Sequence, residues 1–472
     1  MIRGEGPNGE ESEALVDLGG EGLQKSRQLE LALEDRGEAS NVQRSVEAPT
    51  AMHDNGRSGA SDLMERVCER ANLQAALKRV RKNKGSAGID GMTVDELPEY
   101  LRTHWPELRE RLLAGTYHPS PVRRHAIPKN DGGVRELGIP TVVDRFVQQA
   151  ILQVLGPRFD ATFSQHSYGF RPGRSAHDAV VQAQRYVNEG RRIVVDVDLE
   201  RFFDRVNHDV LMGRLAQRIE DKLLLGLVRR YLQAGMMANG IAMERHEGTP
   251  QGGPLSPLLA NVLLDEVDRE LEKRGHAFVR YADDCNVYVR SKRAGERVMS
   301  LLRRLYANIR LRVNETKSAV DLARNRKLLG YSFWSGPGGE VKRRVAPKAL
   351  HAMKDRVRVI TRRSRSQSIM RVAADLRSYL VGWKNYFRLA DTPGIFRELD
   401  EWIRHRLRAL HLKHWKRPAV IYRELRRRGL SDLGARRVAA NARRWWKNSA
   451  KLINVAFPTS YFDTLGIPRL VA

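Results

Sequence analysis

The chain is poor in cysteine. Among its 472 residues only Cys68 and Cys285 occur. Two cysteines can build neither a disulfide framework nor a four-cysteine zinc module, and their scarcity is typical of a reducing compartment.

Long apolar runs are also missing. No stretch of about 18 uncharged apolar residues exists, so the sequence predicts no membrane-spanning helix and no membrane partner. The N-terminus has neither the basic start and apolar run of a signal peptide nor the acid-poor composition of a transit peptide. We therefore expect a cytoplasmic protein.

Acidic residues are scarce towards the C-terminus. The chain has 83 Lys and Arg against 56 Asp and Glu, a net charge of +27, and residues 341–472 contain 32 against 9. Residues 1–60 have the opposite balance, with 6 against 12. A single basic run is commonly a solvated helix face. An excess of this size, interleaved with Trp and Tyr, predicts a nucleic-acid-binding surface.

The two ends of the chain show different patterns. Residues 1–60, rich in Gly, Glu and Ser, predict a disordered acidic extension. Helical patterns follow from Asp62 to Lys84 and from about Thr93. From Ala346 onward the pattern is helical almost throughout.

The centre alternates between strands and helices. Ile193–Leu199 predicts a buried strand, and Ser256-Pro257 predicts a helix start with Ser256 as the N-cap. Phe278–Val289 predicts two strands joined by a turn, with Asp283 and Asp284 at its tip.

Acidic residues occur in two of these apolar strands. Asp196 and Asp198 are two residues apart, so their side chains face the same side, and Asp283 and Asp284 adjoin a second strand. A hairpin turn alone explains an Asp-Asp pair. However, unpaired buried carboxylates are costly. Two Mg²⁺ ions held between neighbouring strands would supply the counter-charge and support in-line phosphoryl transfer.

Several sequence blocks occur in an order known from one family. They are Ile127–Lys129, Arg135–Thr141, Ser167–Ser175, Asp198–Asp204, Gly248–Asn261, Tyr281–Asp284, Val313–Lys317 and Leu329–Tyr331. In this order they resemble the reverse transcriptases encoded by bacterial group II introns, also called maturases. A lone Tyr-Ala-Asp-Asp is a weak signal, whereas the ordered series is a strong one, and the similarity covers about residues 62–472.

The resemblance implies an α/β (α+β) right-hand polymerase fold, with fingers and palm followed by an all-α basic thumb. Gly382–Phe387 resembles the maturase (X) region that forms the thumb and grips intron RNA. The expected domains are the extension at 1–60, a helical part of the fingers at 61–120, fingers and palm at 121–340, thumb/maturase at 341–430, and a basic segment at 431–472. The last either forms a DNA-binding module or completes the thumb. Because no cysteines follow Cys285, we expect no cysteine-containing endonuclease.

The family motifs also imply a catalytic, metal-binding triad of Asp198, Asp283 and Asp284. Asp196 competes with Asp198 on periodicity alone. The family motif favours Asp198, because it places an aromatic gate five residues further on, here Phe203. That ring would favour dNTPs over rNTPs, and core packing is its structural alternative.

The remaining predicted site residues bind the nucleotide or the RNA. Lys129 and Arg135 match the family's triphosphate-binding pair, with a solvated hairpin tip as the alternative. Gln251 matches the position that lines the incoming nucleotide. For RNA, the basic runs nominate Arg443, Arg444 and Lys447, and the maturase-like region adds Lys384.

The expected function is that of an RNA-directed DNA polymerase. It would use two Mg²⁺ ions and dNTPs to extend a DNA primer or target strand on an RNA template. It would also bind its group II intron RNA to assist splicing and mobility, as a nucleoid-associated ribonucleoprotein. Two alternatives stay open: an RNA-binding maturase that does not polymerise, and a reverse transcriptase in a non-intron role.

Overall fold

The computed structural model describes residues 62–128, 134–238, 241–243, 247–250, 252–336, 338–362, 367–450 and 452–471. The extension predicted for residues 1–60 lies outside them. Across the described ranges, none of the helices combines the length and apolarity that crossing a bilayer requires.

Helices dominate both ends of the described part of the chain. They are α1 (Leu63–Val67), α2 (Arg70–Lys82), α3 (Leu97–Leu113), α4 (Val142–Asp160), α5 (Ala176–Asn188), α6 (His208–Ala216), α7 (Lys222–Gln233), α8 (Ser256–Lys273), α9 (Lys292–Asn308), α10 (Pro347–Ile360), α11 (Ile369–Tyr386), α12 (Pro393–Trp415), α13 (Pro418–Arg427), α14 (Asp432–Ala440), α15 (Trp445–Asn448) and α16 (Thr459–Thr464). Short 3₁₀ turns occur at Phe202–Asp204, Ala323–Asn325 and Ala442–Arg444.

The strands lie between these helical regions. They are β1 (Val122–Pro128), β2 (Val134–Ile139), β3 (Ile193–Val197), β4 (Met236–Ala238), β5 (Ile241–Met243), β6 (Ala277–Tyr281), β7 (Asp284–Val289), β8 (Ala319–Leu322), β9 (Tyr331–Ser335) and β10 (Val341–Val345). The mixture of helix and sheet, followed by an all-helical C-terminal region, confirms the predicted fold class.

An antiparallel sheet in the order β6-β7-β3-β8 is the platform of the candidate site. The strand predicted at 193–199 ends at Val197, two residues early. α9 packs on one face of the sheet, where its apolar side chains Val298 and Leu302 join the core. α5 packs against β6 and β7. The sheet is thus held rigidly between helices.

A second sheet, in the order β2-β1-β4-β5, lies closer to the N-terminus along the chain. β1 and β2 form an antiparallel hairpin whose register pairs Ile127 with Arg135. β4 runs parallel to β1. The turn between β1 and β2 lies outside the described residues.

Two predicted helix starts differ from the structure. The helix expected from about Thr93 begins at Leu97, because a turn precedes it in which the amide and hydroxyl of Thr93 both donate to the Glu96 carboxylate. Ser256 is the first residue of α8 rather than its N-cap, which is Leu255. The Ser256 hydroxyl instead donates to the Pro250 carbonyl, at 2.8 Å.

β9 and β10 form a hairpin that the sequence analysis did not predict. Its register pairs Tyr331 with Val345 and Ser335 with Val341. The domain boundary predicted at residue 341 therefore falls between two hydrogen-bonded strands. Charged residues 342–344 in β10 hide its strand character from an analysis of the apolar pattern.

The buried side chains form two apolar clusters that meet at the central sheet. The first contains helices α1 to α4 and α6 to α9 together with the inward side of the sheet, including Val195 and Val287. The second contains Val194, Val279 and Tyr288 from the other side, and extends through α10 to α14. The helical C-terminal region therefore shares one continuous apolar cluster with this side of the sheet.

Candidate functional site

Strand register brings the three predicted acidic residues to one end of the central sheet. β3 ends at Val197, whose partner on β7 is Cys285, so Asp198 follows directly beside Asp284. On the other side of β7, Asp284 pairs with Tyr281 and closes the hairpin whose turn is Ala282-Asp283. Neighbouring strands lie about 4.8 Å apart. Asp198, Asp283 and Asp284 thus occupy adjacent strand ends.

The donor chemistry at this end fits a hard divalent cation, which prefers carboxylate oxygens. All three aspartates are partly exposed, so a ligand can reach them from solvent. Within the described residues, however, no three His, Cys, Asp or Glu side chains are grouped as metal ligands. The register brings the backbone positions together, while the carboxylates do not form a closed ligand set.

The segment after α9 fixes the main chain of Asp198. The Asn314 amide donates to the Asp198 carbonyl at 2.8 Å, and the Asp198 amide donates to the Ser318 hydroxyl at 3.0 Å. A bridge between Leu199 and Val313 continues this pairing. The motif predicted at Val313–Lys317 therefore lies beside Asp198 and holds it in place.

Asp196 has a different environment from Asp198. Two nitrogens of Arg326 contact one oxygen of Asp196, at 2.8 and 2.7 Å. Burial raises the pKa of the Asp196 carboxyl, and Arg326 opposes this shift. Asp196 therefore already has an ion-pair partner. This supports Asp198 rather than Asp196 as the metal ligand, a choice that the periodicity of the strand left open.

A buried arginine braces the acidic hairpin. Arg280 is fully buried and forms a bidentate ion pair with Asp268 of α8, with contacts of 2.6 to 2.9 Å. Its remaining nitrogen donates to the Asn261 side chain and to the Ala282 carbonyl, both at 2.9 Å. Ala282 immediately precedes Asp283. The network therefore ties the turn that carries Asp283 to helix α8.

Arg280, Asn261 and Asp268 were not among the predicted site residues, although they support the acidic turn. A signal was present, because Arg280 interrupts an apolar strand and Asp268 lies in a helix next to the apolar Val267. Each is a buried charge that needs a partner. Pairing the two from the sequence would have required knowing how α8 packs on β6.

Gly169 supports the same turn from the other side. A Cβ atom at residue 169 would lie only 2.2 Å from the Ala282 nitrogen, so the position requires glycine. The Gly169 carbonyl accepts a hydrogen bond from Asn261 at 3.0 Å. Ala282 itself has a φ of 56°, an uncommon conformation for a non-glycine residue. The predicted block at Ser167–Ser175 thus packs against the acidic hairpin.

Phe203 lies on the 3₁₀ turn that follows β3. Its ring is partly buried and meets Phe202 edge-on, with centroids 5.0 Å apart. Its carbonyl accepts from the Thr249 amide at 2.7 Å. This contact brings the Phe203 turn next to the chain segment that leads to position 251.

Three of the predicted nucleotide-binding residues, Lys129, Arg135 and Gln251, lie wholly or partly outside the described residues. Lys129 and Gln251 lie outside the described residues. Arg135 is placed on β2 by its main chain, opposite Ile127. Their roles stay predictions.

The maturase-like helix α11 contacts helix α5 and the segment around the start of β9 through Tyr386. The Tyr386 hydroxyl donates to the Leu329 carbonyl at 2.7 Å, and the Tyr386 carbonyl contacts the His177 ring at 2.7 Å and the Tyr331 hydroxyl. Burial raises the pKa of Tyr386, with a smaller contribution from the charge of Asp284. The predicted Gly382–Phe387 block therefore sits close to the acidic end of the sheet.

The predicted RNA-binding residues fall into two groups. Lys384 donates to the Arg469 carbonyl at 2.7 Å, so it also ties α11 to the C-terminal segment. Arg443, Arg444 and Lys447 are all exposed, on the 3₁₀ turn at 442–444 and on α15. Beside them, Trp446 is 40% exposed and stacks on His405. The structure places the second group on an accessible basic surface with an aromatic ring.

Comparison with protein families finds two domains in this chain. Residues 127–333 match the family described as reverse transcriptase (RNA-dependent DNA polymerase). Residues 350–429 match the group II intron, maturase-specific domain. The first match contains the acidic strand ends, and the second contains helices α11 and α12.

Individual relatives agree with these matches. The chain is 37% identical to protein YkfC of Escherichia coli over 45% of its length and 57% of the relative. It is 37% identical to the group II intron-encoded protein LtrA of Lactococcus lactis, over 41% of this chain and 32% of LtrA. It is 30% identical to the retron Mx65 reverse transcriptase of Myxococcus xanthus, over 42% and 47%. The matches thus span at most about 57% of these relatives.

Among solved structures, the chain resembles a partial Cas6-RT-Cas1–Cas2 complex. The TM-score is 0.35 at 25% identity, and the match covers 57% of this chain and 46% of the other.

Proposed function

We propose that this chain, which contains a reverse transcriptase domain and a group II intron maturase-specific domain, extends a DNA primer on an RNA template. The observation that carries this proposal is the register that sets Asp198 beside Asp284 and Asp283. Three carboxylates on adjacent, rigid strand ends are the hard oxygen donors that divalent-metal phosphoryl transfer requires.

The proposed cofactor is Mg²⁺, as two ions held by Asp198, Asp283 and Asp284. When bound, such ions make the primer 3′-hydroxyl a better nucleophile and neutralise charge on the leaving pyrophosphate. The chain's part is to hold the three carboxylates in place. The Arg280 network holds the turn at Ala282-Asp283, and Asn314 and Ser318 hold Asp198.

The substrates are proposed to be dNTPs and a primed RNA template. In the reaction, the primer 3′-oxygen forms a bond to the α-phosphorus of the dNTP, and pyrophosphate leaves. Lys129 and Arg135 are proposed to bind the triphosphate. Phe203 is proposed to crowd a ribose 2′-hydroxyl, and Gln251 to line the nucleotide.

The second proposed partner is a group II intron RNA. Support comes from the matched maturase-specific domain and from the net charge of residues 341–472, which contain 32 basic and 9 acidic residues. Lys384 and the exposed Arg443, Arg444 and Lys447 are proposed contacts. The same RNA partner would place the protein in a nucleoid-associated ribonucleoprotein of the cytoplasm.

Primer extension tests the polymerase proposal. A DNA primer on an RNA template, with Mg²⁺ and dNTPs, is extended by the wild-type chain, and Asp283→Asn is expected to lower the rate by about 100-fold or more. Asp209→Asn is the matched control, because Asp209 is exposed and pairs with Arg229. Equal rates in the wild type and Asp283→Asn would overturn the proposal.

A reverse transcriptase in a non-intron role is the second candidate, favoured by the similarity to the retron enzyme. A splicing assay separates the two. If the intron role is right, the protein accelerates splicing of a group II intron transcribed from its own flanking DNA. Primer extension without any such intron in that DNA would favour the second candidate.

A further inference from the structure

We propose that this chain has a second RNA-binding site, an arginine-lined recess that binds the phosphodiester backbone at the end of the central sheet remote from the aspartates. The recess is a cavity of about 490 Å³ between the start of β6, the end of β7 and helix α9. β7 runs from Asp284 to Val289, so its two ends lie about 17 Å apart. The recess is therefore separate from the proposed catalytic site.

Positive charge is the main feature of the recess. It is lined by Arg191, Arg274, Arg290, Arg297 and Arg304, and by no acidic side chain of the described residues. Arg191 pairs with Glu189, and Arg274 pairs with Glu270. The other three are exposed, and none has an ion-pair partner in the part of the chain that the structure describes. Three uncompensated guanidinium groups converge on one concavity.

The floor of the recess is apolar. Ala277 and Tyr288 are buried at the sheet end, and Val298 and Leu301 come from α9. A recess with an apolar floor lowers the local dielectric constant, so each guanidinium attracts a phosphate more strongly than it would on an open surface. Guanidinium groups also bind phosphate oxygens in a bidentate manner.

The spacing of the arginines favours a chain of phosphates over a single anion. Arg297 and Arg304 are seven residues apart on α9, which is two helical turns on one face, or about 10.5 Å along the axis. Arg290 lies before the helix begins, at the end of β7. One phosphate group cannot contact arginines spread over this distance, whereas successive phosphates of a nucleic-acid strand can.

The choice of RNA as the ligand rests on the proposed function, which already requires a long RNA partner. An intron RNA is large enough to contact the thumb and the recess at the same time. The recess would then anchor a part of that RNA away from the template-primer duplex.

The test measures how the binding of a transcribed group II intron RNA depends on salt. Arg297→Ala/Arg304→Ala removes two guanidinium groups from exposed helical positions, where alanine keeps the helix. If each contacts one phosphate, the slope of log K against log salt decreases in magnitude by about 1.4 to 1.8. The control, Arg158→Ala/Lys222→Ala, removes two exposed charges from α4 and α7 and leaves the slope unchanged.

An unchanged salt slope in the Arg297/Arg304 variant would overturn the proposal, and so would an equal decrease in the control variant. A second measurement then identifies the ligand class. If inorganic tripolyphosphate raises the thermal stability of the wild-type protein but not that of the variant, and the salt slope for RNA is unchanged, the recess binds a small phosphorylated ligand instead of RNA.

Extension of a DNA primer on a short RNA template keeps this test distinct from that of the proposed function. The Arg297/Arg304 variant is expected to extend at the wild-type rate with saturating template, since both residues lie away from the aspartates. If the wild-type chain does not extend at all, the polymerase proposal fails, while the salt slopes still decide whether the recess binds RNA.

Discussion

At the scale of single residues, Asp196 and Asp198 show how two similar side chains, two residues apart, differ in their surroundings. Asp196 is paired with Arg326, whereas Asp198 lies beside Asp284 at the sheet end. Asp198→Asn is therefore expected to reduce primer extension by about 100-fold or more, because it removes a proposed metal ligand. Asp196→Asn on the same strand is the matched control.

The two variants separate the alternatives that periodicity left open. Asp196→Asn weakens an ion pair that is partly exposed, so extension should stay within about threefold of wild type. A larger loss in Asp196→Asn than in Asp198→Asn would assign the ligand role to Asp196.

Arg280 is the buried residue on which the acidic turn depends. Arg280→Met removes the partner of the fully buried Asp268, so the free energy of unfolding should fall by about 3–5 kcal/mol. Arg303→Met provides the comparison, because its pair with Glu315 is exposed and should contribute about 1 kcal/mol or less. Urea denaturation measures both. Similar losses in the two variants would show that the Arg280 network does not stabilise the hairpin.

At the scale of elements, the hairpin of β6 and β7 was predictable in outline but not in detail. The alternation of apolar residues around Tyr281–Asp284 predicts two strands and a turn. The observed turn is Ala282-Asp283, one residue earlier than the predicted tip, because Asp284 pairs with Tyr281 as part of β7. Ala282 has a positive φ and is contacted by Gly169, which is distant in sequence, and by the buried Arg280 side chain. Neither contact is visible in the local sequence pattern.

Gly169→Ala tests how closely this hairpin is supported. The added Cβ would lie 2.2 Å from the Ala282 nitrogen, so the turn must shift. We expect primer extension to fall by at least about tenfold, because small displacements of catalytic groups are costly. The measurement is the extension rate of the folded variant.

Gly213→Ala is the matched control, since nothing lies within 4 Å of its added Cβ on helix α6. It should keep the wild-type extension rate and raise the free energy of unfolding by about 0.5–1 kcal/mol. Equal extension rates in the two alanine variants would contradict the close packing of Gly169 on the hairpin.

Other elements depended on contacts that a sequence pattern does not contain. β10 carries Lys342, Arg343 and Arg344 and becomes a strand by pairing with β9. Ser256 looks like an N-cap, but its hydroxyl is engaged by the loop before α8. In both cases tertiary contacts override the local preference.

At the scale of the whole molecule, the order of the motifs predicted more than any single motif. Asp198 and Asp283 are far apart in the sequence, and their meeting at one sheet end follows from the pairing of β3 with β7. The helical basic region after residue 346 was also predicted, since its apolar periodicity and charge are local features. Its contact with α5 and with the segment before β9 through Tyr386 was not, because the partners come from distant segments.

The exposed basic group of the C-terminal region leads to a prediction about RNA affinity. Replacing Arg443, Arg444 and Lys447 with alanine should decrease the magnitude of the salt slope for RNA binding by about 2 to 3, if each side chain neutralises one phosphate. Replacing the exposed Arg102, Arg158 and Lys222 is the control of equal charge. A slope that stays at the wild-type value would mean that these side chains do not contact the RNA.

The central claim is that carboxylates from two strands hold the same metal ions. With hydrogen peroxide as oxidant and ascorbate to regenerate Fe²⁺, Fe²⁺ bound in place of Mg²⁺ converts peroxide into hydroxyl radicals that cut the nearby main chain. The claim therefore predicts cuts close to Asp198 and close to Asp283-Asp284. Excess Mg²⁺ should suppress both cuts, and Asp198→Asn should weaken both together. Cleavage confined to one of the two strands, or cleavage that Mg²⁺ does not suppress, would contradict the claim.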